Sequence, residues 1–222
     1  MNGNDMKRVY DFLERLAANN DREWFAANRA EYDSVRAFWL GKVQELINEL
    51  AVNDPSLRSL SAADCAYRIY RDTRFSNDKT PYKTYFSALI SPTGRHCDRA
   101  CHYFHIGADE TALYSGLWCP EPKVLKKVRK AIIDNVEEFR SVTETPEIEK
   151  YFPGWYGRQL KTAPKGYDRN HPDIDLLRLT EYGKMCALDR SFFERSDWVA
   201  EAARRLELLK PMDEFLNYSI DE

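Results

Sequence analysis

The sequence predicts an α+β fold: an antiparallel sheet of four to five strands, from residues 66–118 with a further strand at 184–188, packed against N- and C-terminal helices. Three observations predict it. The first fifty residues carry apolar side chains at helical spacing. Residues 66–118 switch to short runs rich in aromatic and β-branched residues, separated by turn clusters at hairpin distances. After Pro120 the helical spacing returns. No repeat, low-complexity run or linker interrupts the 222 residues, so one domain spanning 1–222 is expected, long enough to bury a core without staples.

Each element has a local reason. Val9, Phe12, Leu13 and Leu16 form the stripe of a first helix, which Asn19-Asn20-Asp21 breaks. Asn20 or Asp21 can cap a second, long helix whose stripe runs from Trp24 and Phe25 to Leu50 and ends at Asn53-Asp54-Pro55. Strands are expected at 67–75, 84–91, 101–107 and 111–118, divided by Ser76-Asn77-Asp78, Pro92-Thr93-Gly94 and Ala108-Asp109-Glu110. Pro120-Glu121-Pro122 opens a helix carrying Leu125, Val128 and Ile132, and short helices follow at 136–142 and 146–152. Residues 153–172, rich in Gly and Pro, read as a long irregular stretch of the kind that often carries function. A short helix at Ile174, the strand at 184–188, a helix begun by Ser196, an interruption at Pro211 and a last turn or two complete the chain.

The expected strands have one aliphatic row each: Phe86, Ala88, Ile90; Phe104, Ile106; Leu113, Leu117. The opposite rows are polar or aromatic, and the sheet face they build is expected to carry Arg68, Arg74, Tyr103, His105 and Trp118. The densest polar run is R-I-Y-R-D-T-R-F-S-N-D-K-T-P-Y-K at 68–83. It holds Arg68, Arg71, Arg74, Lys79 and Lys83 against only Asp72 and Asp78. Cations on a strand are costly under an apolar layer, so they must meet carboxylates, water or an anion. Arg68, Arg71, Arg74, Lys79 and Lys83, with Tyr103 and Trp118, are therefore the candidate ligand-binding residues, and Asp72 and His105 the candidate proton-transfer groups. The competing reading is a structural ion-pair network using Asp72 or Glu23.

Composition bounds the alternatives. With 33 Lys and Arg against 36 Asp and Glu, the net charge of −3 disfavours bulk binding to nucleic acid or anionic membrane. The start, M-N-G-N-D-M-K-R, lacks an apolar leader core, and no window of 18 apolar residues suggests a membrane span. Five cysteines, an odd number, fit free thiols in a reducing cytoplasm better than a disulfide framework. Cys97 and Cys101, with His96, His102 and His105 nearby, invite a zinc reading. Adjacent strand residues 101 and 102 point apart, however, and no second Cys pair follows, so no metal is expected. The chain has no GxxxxGK[ST], GxGxxG, HExxH or GxSxG, and no cofactor is expected.

Five stretches carry a resemblance. They are N-N-D-R-E-W-F-A-A-N-R from Asn19, the run at 68–83, G-L-W-C-P-E-P from Gly116, P-K-G-Y-D-R-N-H-P from Pro164 and D-E-F-L-N from Asp213. In order along nearly the whole chain, they resemble domain-of-unknown-function family 2461 of bacteria and fungi. The resemblance implies a single-domain protein of about this size and carries over no activity, substrate or catalytic residue. Because it falls on the charged and turn residues of 68–83, it raises the weight of a functional reading there.

Two functions then compete. One is binding or turnover of a small anion, phosphorylated molecules included, on the basic aromatic face. The other is an interaction module for single-stranded nucleic acid or protein, in which Tyr67, Tyr70, Phe75, Tyr82 and Tyr85 would stack bases and the arginine–aspartate pairs would be structural.

Overall fold

A computed structural model describes residues 4–222; the first three residues of the M-N-G-N-D-M-K-R start lie outside the described residues. The chain forms α1 (Asn4–Ala18), α2 (Arg22–Ala27), α3 (Arg29–Leu50), α4 (Ala62–Cys65), β1 (Tyr85–Ile90), β2 (Cys101–Gly107), β3 (Thr111–Leu117), α5 (Pro122–Asp134), α6 (Val136–Thr143), α7 (Pro146–Tyr151), α8 (Ile174–Arg178), β4 (Tyr182–Ala187), α9 (Trp198–Glu207) and α10 (Lys210–Asp221). The four strands make one open antiparallel sheet in the order β1-β2-β3-β4. The architecture is α+β, with β4 supplying the strand expected near 184–188.

The expected strand at 67–75 is not a ladder. Isolated antiparallel bridges join Ala66 to Ala88 and Tyr70 to Tyr82, and residues 71–81 leave as a loop. The aspartates that balance the arginines also cause this. Asp72 Oδ1 accepts from Arg74 N at 3.2 Å and Asp78 Oδ1 from Thr80 N at 2.9 Å, short side-chain turns that compete with strand pairing. The long helix also differs from its sequence reading, dividing at Asn28. The Asn28 side-chain amide donates to Trp24 O at 2.8 Å, which closes α2 before α3 begins. Asp21 caps α2 by accepting from Trp24 N. Pro211 sits in the first turn of the twelve-residue α10, where a missing N–H costs nothing, so it starts a helix longer than expected.

The chain groups into two compact units. The first comprises Met1–Arg95, Tyr103–Leu113 and Ala187–Arg204, and the second His96–His102, Tyr114–Cys186 and Arg205–Glu222. In the first, the aliphatic row behaves as expected: Phe86, Ala88, Ile90, Phe104 and Ile106 are all buried. Trp39 and Tyr32 of α3 lie 5.3 and 6.1 Å from the Phe86 ring, and Trp198 lies 6.2 Å from Phe104. In the second, Phe139 stacks on Trp155 at 5.6 Å and meets Tyr182 edge-on at 6.0 Å. Gly116 there has φ +128°, and a Cβ would stand 2.1 Å from Tyr182 O, so only glycine allows that approach. No described helix is long and apolar enough to cross a membrane.

Candidate functional site

The run at 68–83 leaves the Tyr70–Tyr82 bridge as a loop and returns to it. Arg71 N donates to Pro81 O at 2.9 Å and Lys83 N to Ile69 O at 2.8 Å, which closes the loop's neck. The Asn20 side chain pairs with both backbone groups of Tyr82, donating to O at 2.9 Å and accepting from N at 3.1 Å. Phe25 stacks on the Tyr82 ring at 4.0 Å. Two of the stretches that carry the family resemblance, at 19–29 and 68–83, thus fold onto each other.

Inside the loop the charges find local partners. Arg71 Nη1 bonds Asp78 Oδ2 at 2.5 Å, Thr80 O at 3.2 Å and the Thr80 hydroxyl. Arg74 forms a two-pronged pair with Asp72, Nη2 to Oδ2 at 2.7 Å and Nε to Oδ1 at 3.0 Å, with both residues exposed. Lys79 Nζ donates to Thr73 O at 2.9 Å. Beside them lies an open groove of about 1060 Å³, whose lining includes Arg22, Glu23, Tyr70, Arg71, Lys79 and Thr80.

A second cluster occupies the polar sheet face of the same unit. The Lys83 ammonium lies 5.1 Å from the Tyr67 ring centre and 5.6 Å from that of Tyr85. Tyr85 in turn lies 4.4 Å from the His105 ring. The Tyr103 hydroxyl stands 3.5 Å from His105 Nδ1 and bonds to Ser87. Gly107 makes room for the pair, since a Cβ would meet Tyr85 Cβ at 3.0 Å and His105 Nε2 at 3.1 Å. Among the described residues, neither the half-buried Lys83 ammonium nor the exposed Arg68 guanidinium has a hydrogen-bond or ion-pair partner.

Burial sets the protonation tendencies of this face. It pulls the Lys83 ammonium below its usual range, and the nearby Arg68 charge adds to the effect. Burial likewise lowers His105; Glu110 opposes that shift and Lys83 reinforces it. Tyr103 is pushed up to about 12 by burial. The face therefore favours a neutral imidazole and an amine that sheds its proton more easily than a surface lysine. Asp72 differs: the hydrogen bonds from Arg74 hold its carboxyl down to about 2, which makes it a weak base.

The nine residues predicted from sequence thus separate into groups. Arg71 and Lys79 meet at the groove, where Arg71 is tied to Asp78 and Thr80. Arg74 and Asp72 pair with each other in the loop. Lys83, Tyr103 and His105 gather on the sheet face, with the Arg68 charge felt at Lys83. Trp118 belongs to the second unit, where it is exposed and stacks on Tyr156 at 5.8 Å. Glu23 lines the groove, and the arginine partners are Asp72 and Asp78.

Sequence reasoning missed a buried polar cluster in the second unit. His102 Nδ1 lies 2.6 Å from Ser115 Oγ, and the Ser115 hydroxyl donates to Asp213 Oδ2. Asp213 is buried, its Oδ1 has no hydrogen-bond partner, and burial raises its carboxyl to about 7. The serine and the carboxylate both address the same imidazole nitrogen, and Ser115 is 3% exposed, so this is not a nucleophile relay. Two signals could have located it: Ser115 is the polar member of the Leu113–Leu117 row, and Asp213 opens D-E-F-L-N. The thiols of Cys97 and Cys101 hydrogen-bond each other. No cysteine is in a disulfide, and no group of three or more His, Cys, Asp or Glu among the described residues is placed to hold a metal ion.

Compared with known proteins, the chain matches the family model described as "Conserved hypothetical protein (DUF2461)" over residues 8–215. No curated protein and no solved structure matches it.

Proposed function

We propose that this chain, which belongs to the DUF2461 family, binds a small anionic molecule on the sheet face that carries Lys83, Arg68, Tyr67, Tyr85, Tyr103 and His105. One observation carries the reading. The half-buried Lys83 ammonium has no ion-pair partner among the described residues, and its neighbour Arg68 feels only the longer-range charge of Asp72, whereas Arg71 and Arg74 each hold a carboxylate directly. Uncompensated cations beside low-dielectric rings store repulsion that a bound anion relieves. The tyrosine rings would flank the ligand, and His105 is the proton-transfer candidate if a reaction follows. Asp72, held ionised by Arg74, fits a structural role better.

A melting series with phosphate, sulfate and small organic acids tests this. A ligand that binds only the folded state must raise its stability. Wild type should be stabilised, and Lys83→Met and Arg68→Ala should lose that response. A response that survives both changes but disappears in Lys79→Ala would move the site to the groove. Steeply salt-dependent binding of single-stranded oligonucleotides, lost in Tyr67→Ala and Tyr85→Ala, would favour the interaction-module reading instead. The absence of disulfides fits a reducing compartment, and the cytoplasm is our placement. One domain over 1–222 is likewise our reading; a single cooperative unfolding transition tests it.

A further inference from the structure

The uncompensated amine on the sheet face has the setting of a reactive lysine. Lysines become nucleophilic at neutral pH when they are desolvated and stand next to another cation, because both conditions favour the neutral amine. Lys83 meets both: its ammonium lies against the Tyr67 and Tyr85 rings, it has no hydrogen-bond or ion-pair partner among the described residues, and Arg68 is the charge beside it. Among the described residues no carboxylate or carbonyl holds it protonated; only the two ring faces favour its charge. Compare the wholly buried Lys184, whose Nζ is held by Glu149 at 2.7 Å and Gly154 O at 3.1 Å. A proton carrier is near as well, since the His105 ring lies 4.4 Å from that of Tyr85 and its Nδ1 stands 3.5 Å from the Tyr103 hydroxyl.

We propose that Lys83 forms an imine with an anionic carbonyl compound, an α-keto acid or a phosphorylated aldehyde or ketone, whose charge Arg68 holds. The inference rests on the anion-site reading above and names its substrate class. The Lys83 lone pair attacks the carbonyl carbon, and the C=O π pair becomes a hydroxyl by taking a proton. The amine loses its two protons. The hydroxyl leaves as water with one further proton delivered by His105, and a C=N bond replaces C=O. Amine plus carbonyl gives imine plus water, so no oxidant or reductant is consumed. His105, favoured neutral, can accept the proton shed by the attacking amine and return it to the departing hydroxyl.

Reductive trapping tests the step. The full chain is incubated at neutral pH with pyruvate and sodium cyanoborohydride, and adducts are located by peptide mass mapping. Lys83 should trap pyruvate faster than the average surface lysine, because a lowered pKa enlarges the neutral-amine fraction. Acetone, which lacks the anion, should show no such preference, and phosphate should compete with pyruvate. Lys83→Arg removes the nucleophile, so it should lose the adduct. His105→Gln should slow trapping at saturating pyruvate. If phosphate stabilises wild type while Lys83 labels no faster than other lysines, the imine is overturned and the anion site stands. If Lys83 traps acetone and pyruvate equally, without competition by phosphate, the anion site is overturned and so is the proposed substrate class. If neither stabilisation nor selective labelling occurs, both fall.

Discussion

The polar sheet face of the first unit and the buried polar interior of the second treat charge in opposite ways. In the second unit the most deeply buried ions have direct partners. Lys184, 1% exposed, is bonded to Glu149 and to backbone oxygens and covered by the Trp155 ring at 5.0 Å. Glu181, also 1% exposed, accepts from Arg158 Nε at 2.9 Å. Asp213 keeps the Ser115 hydroxyl. On the face around Lys83, the ammonium lies over two tyrosine rings beside the Arg68 charge, with no ion-pair partner of its own among the described residues. Buried charges are tolerated where partners repay their desolvation. A partly buried charge without a partner is a stability cost that only a ligand offsets, and this difference separates a scaffold from a candidate site.

The comparison can be broken at its strong end first. Lys184→Ala should cost about 3 kcal/mol in chemical denaturation, since it leaves two carbonyls without their donor and empties a filled space. A loss below about 1 kcal/mol would show that the second unit does not depend on its buried pairs. The next largest effect belongs to Asp213. Its unfolded carboxyl titrates near 3.8 and its folded one near 7, so the folded state holds the extra proton between these values. The resulting stability is fully present below about pH 4 and is lost as pH rises to about 7, at up to about 1.4 kcal/mol per pH unit. His102, Ser115, Cys97 and Glu214 are the polar groups that act on it. Asp213→Asn should flatten this slope, and unchanged pH dependence would remove Asp213 as its source.

Smaller effects sharpen the other side. Lys83→Met should leave stability unchanged or raise it, because no carboxylate loses a partner, while the response to phosphate disappears. A large destabilisation would mean that Lys83 belongs with Lys184 rather than with a site. The smallest effect is expected for Arg74→Ala. Its pair with Asp72 is exposed, and exposed pairs contribute little, so thermal melting should not detect the change. A clear loss would show that the loop depends on this pair.

Much of this was legible without coordinates. The periodicities located the helices, the aliphatic rows of β1 and β2 and the strand near 184, because burial of one face imposes the pattern directly. The charge excess at 68–83 was legible too, and the structure resolves part of it into the Arg71–Asp78 and Arg74–Asp72 pairs. Misreading 67–75 as a strand came from weighing its aromatic and β-branched residues above Asp72 and Asp78, whose side chains turn the backbone instead. Only the tertiary structure divided the predicted cations. Which arginine meets a carboxylate depends on the return of the loop to Tyr70, which ties Arg71 to Asp78 and leaves Lys83 against the sheet. The His102–Ser115–Asp213 contact joins residues 98 positions apart between Ser115 and Asp213. Sequence spacing therefore could not announce it, since periodicity reports which face of an element is buried and not which distant side chain it will meet.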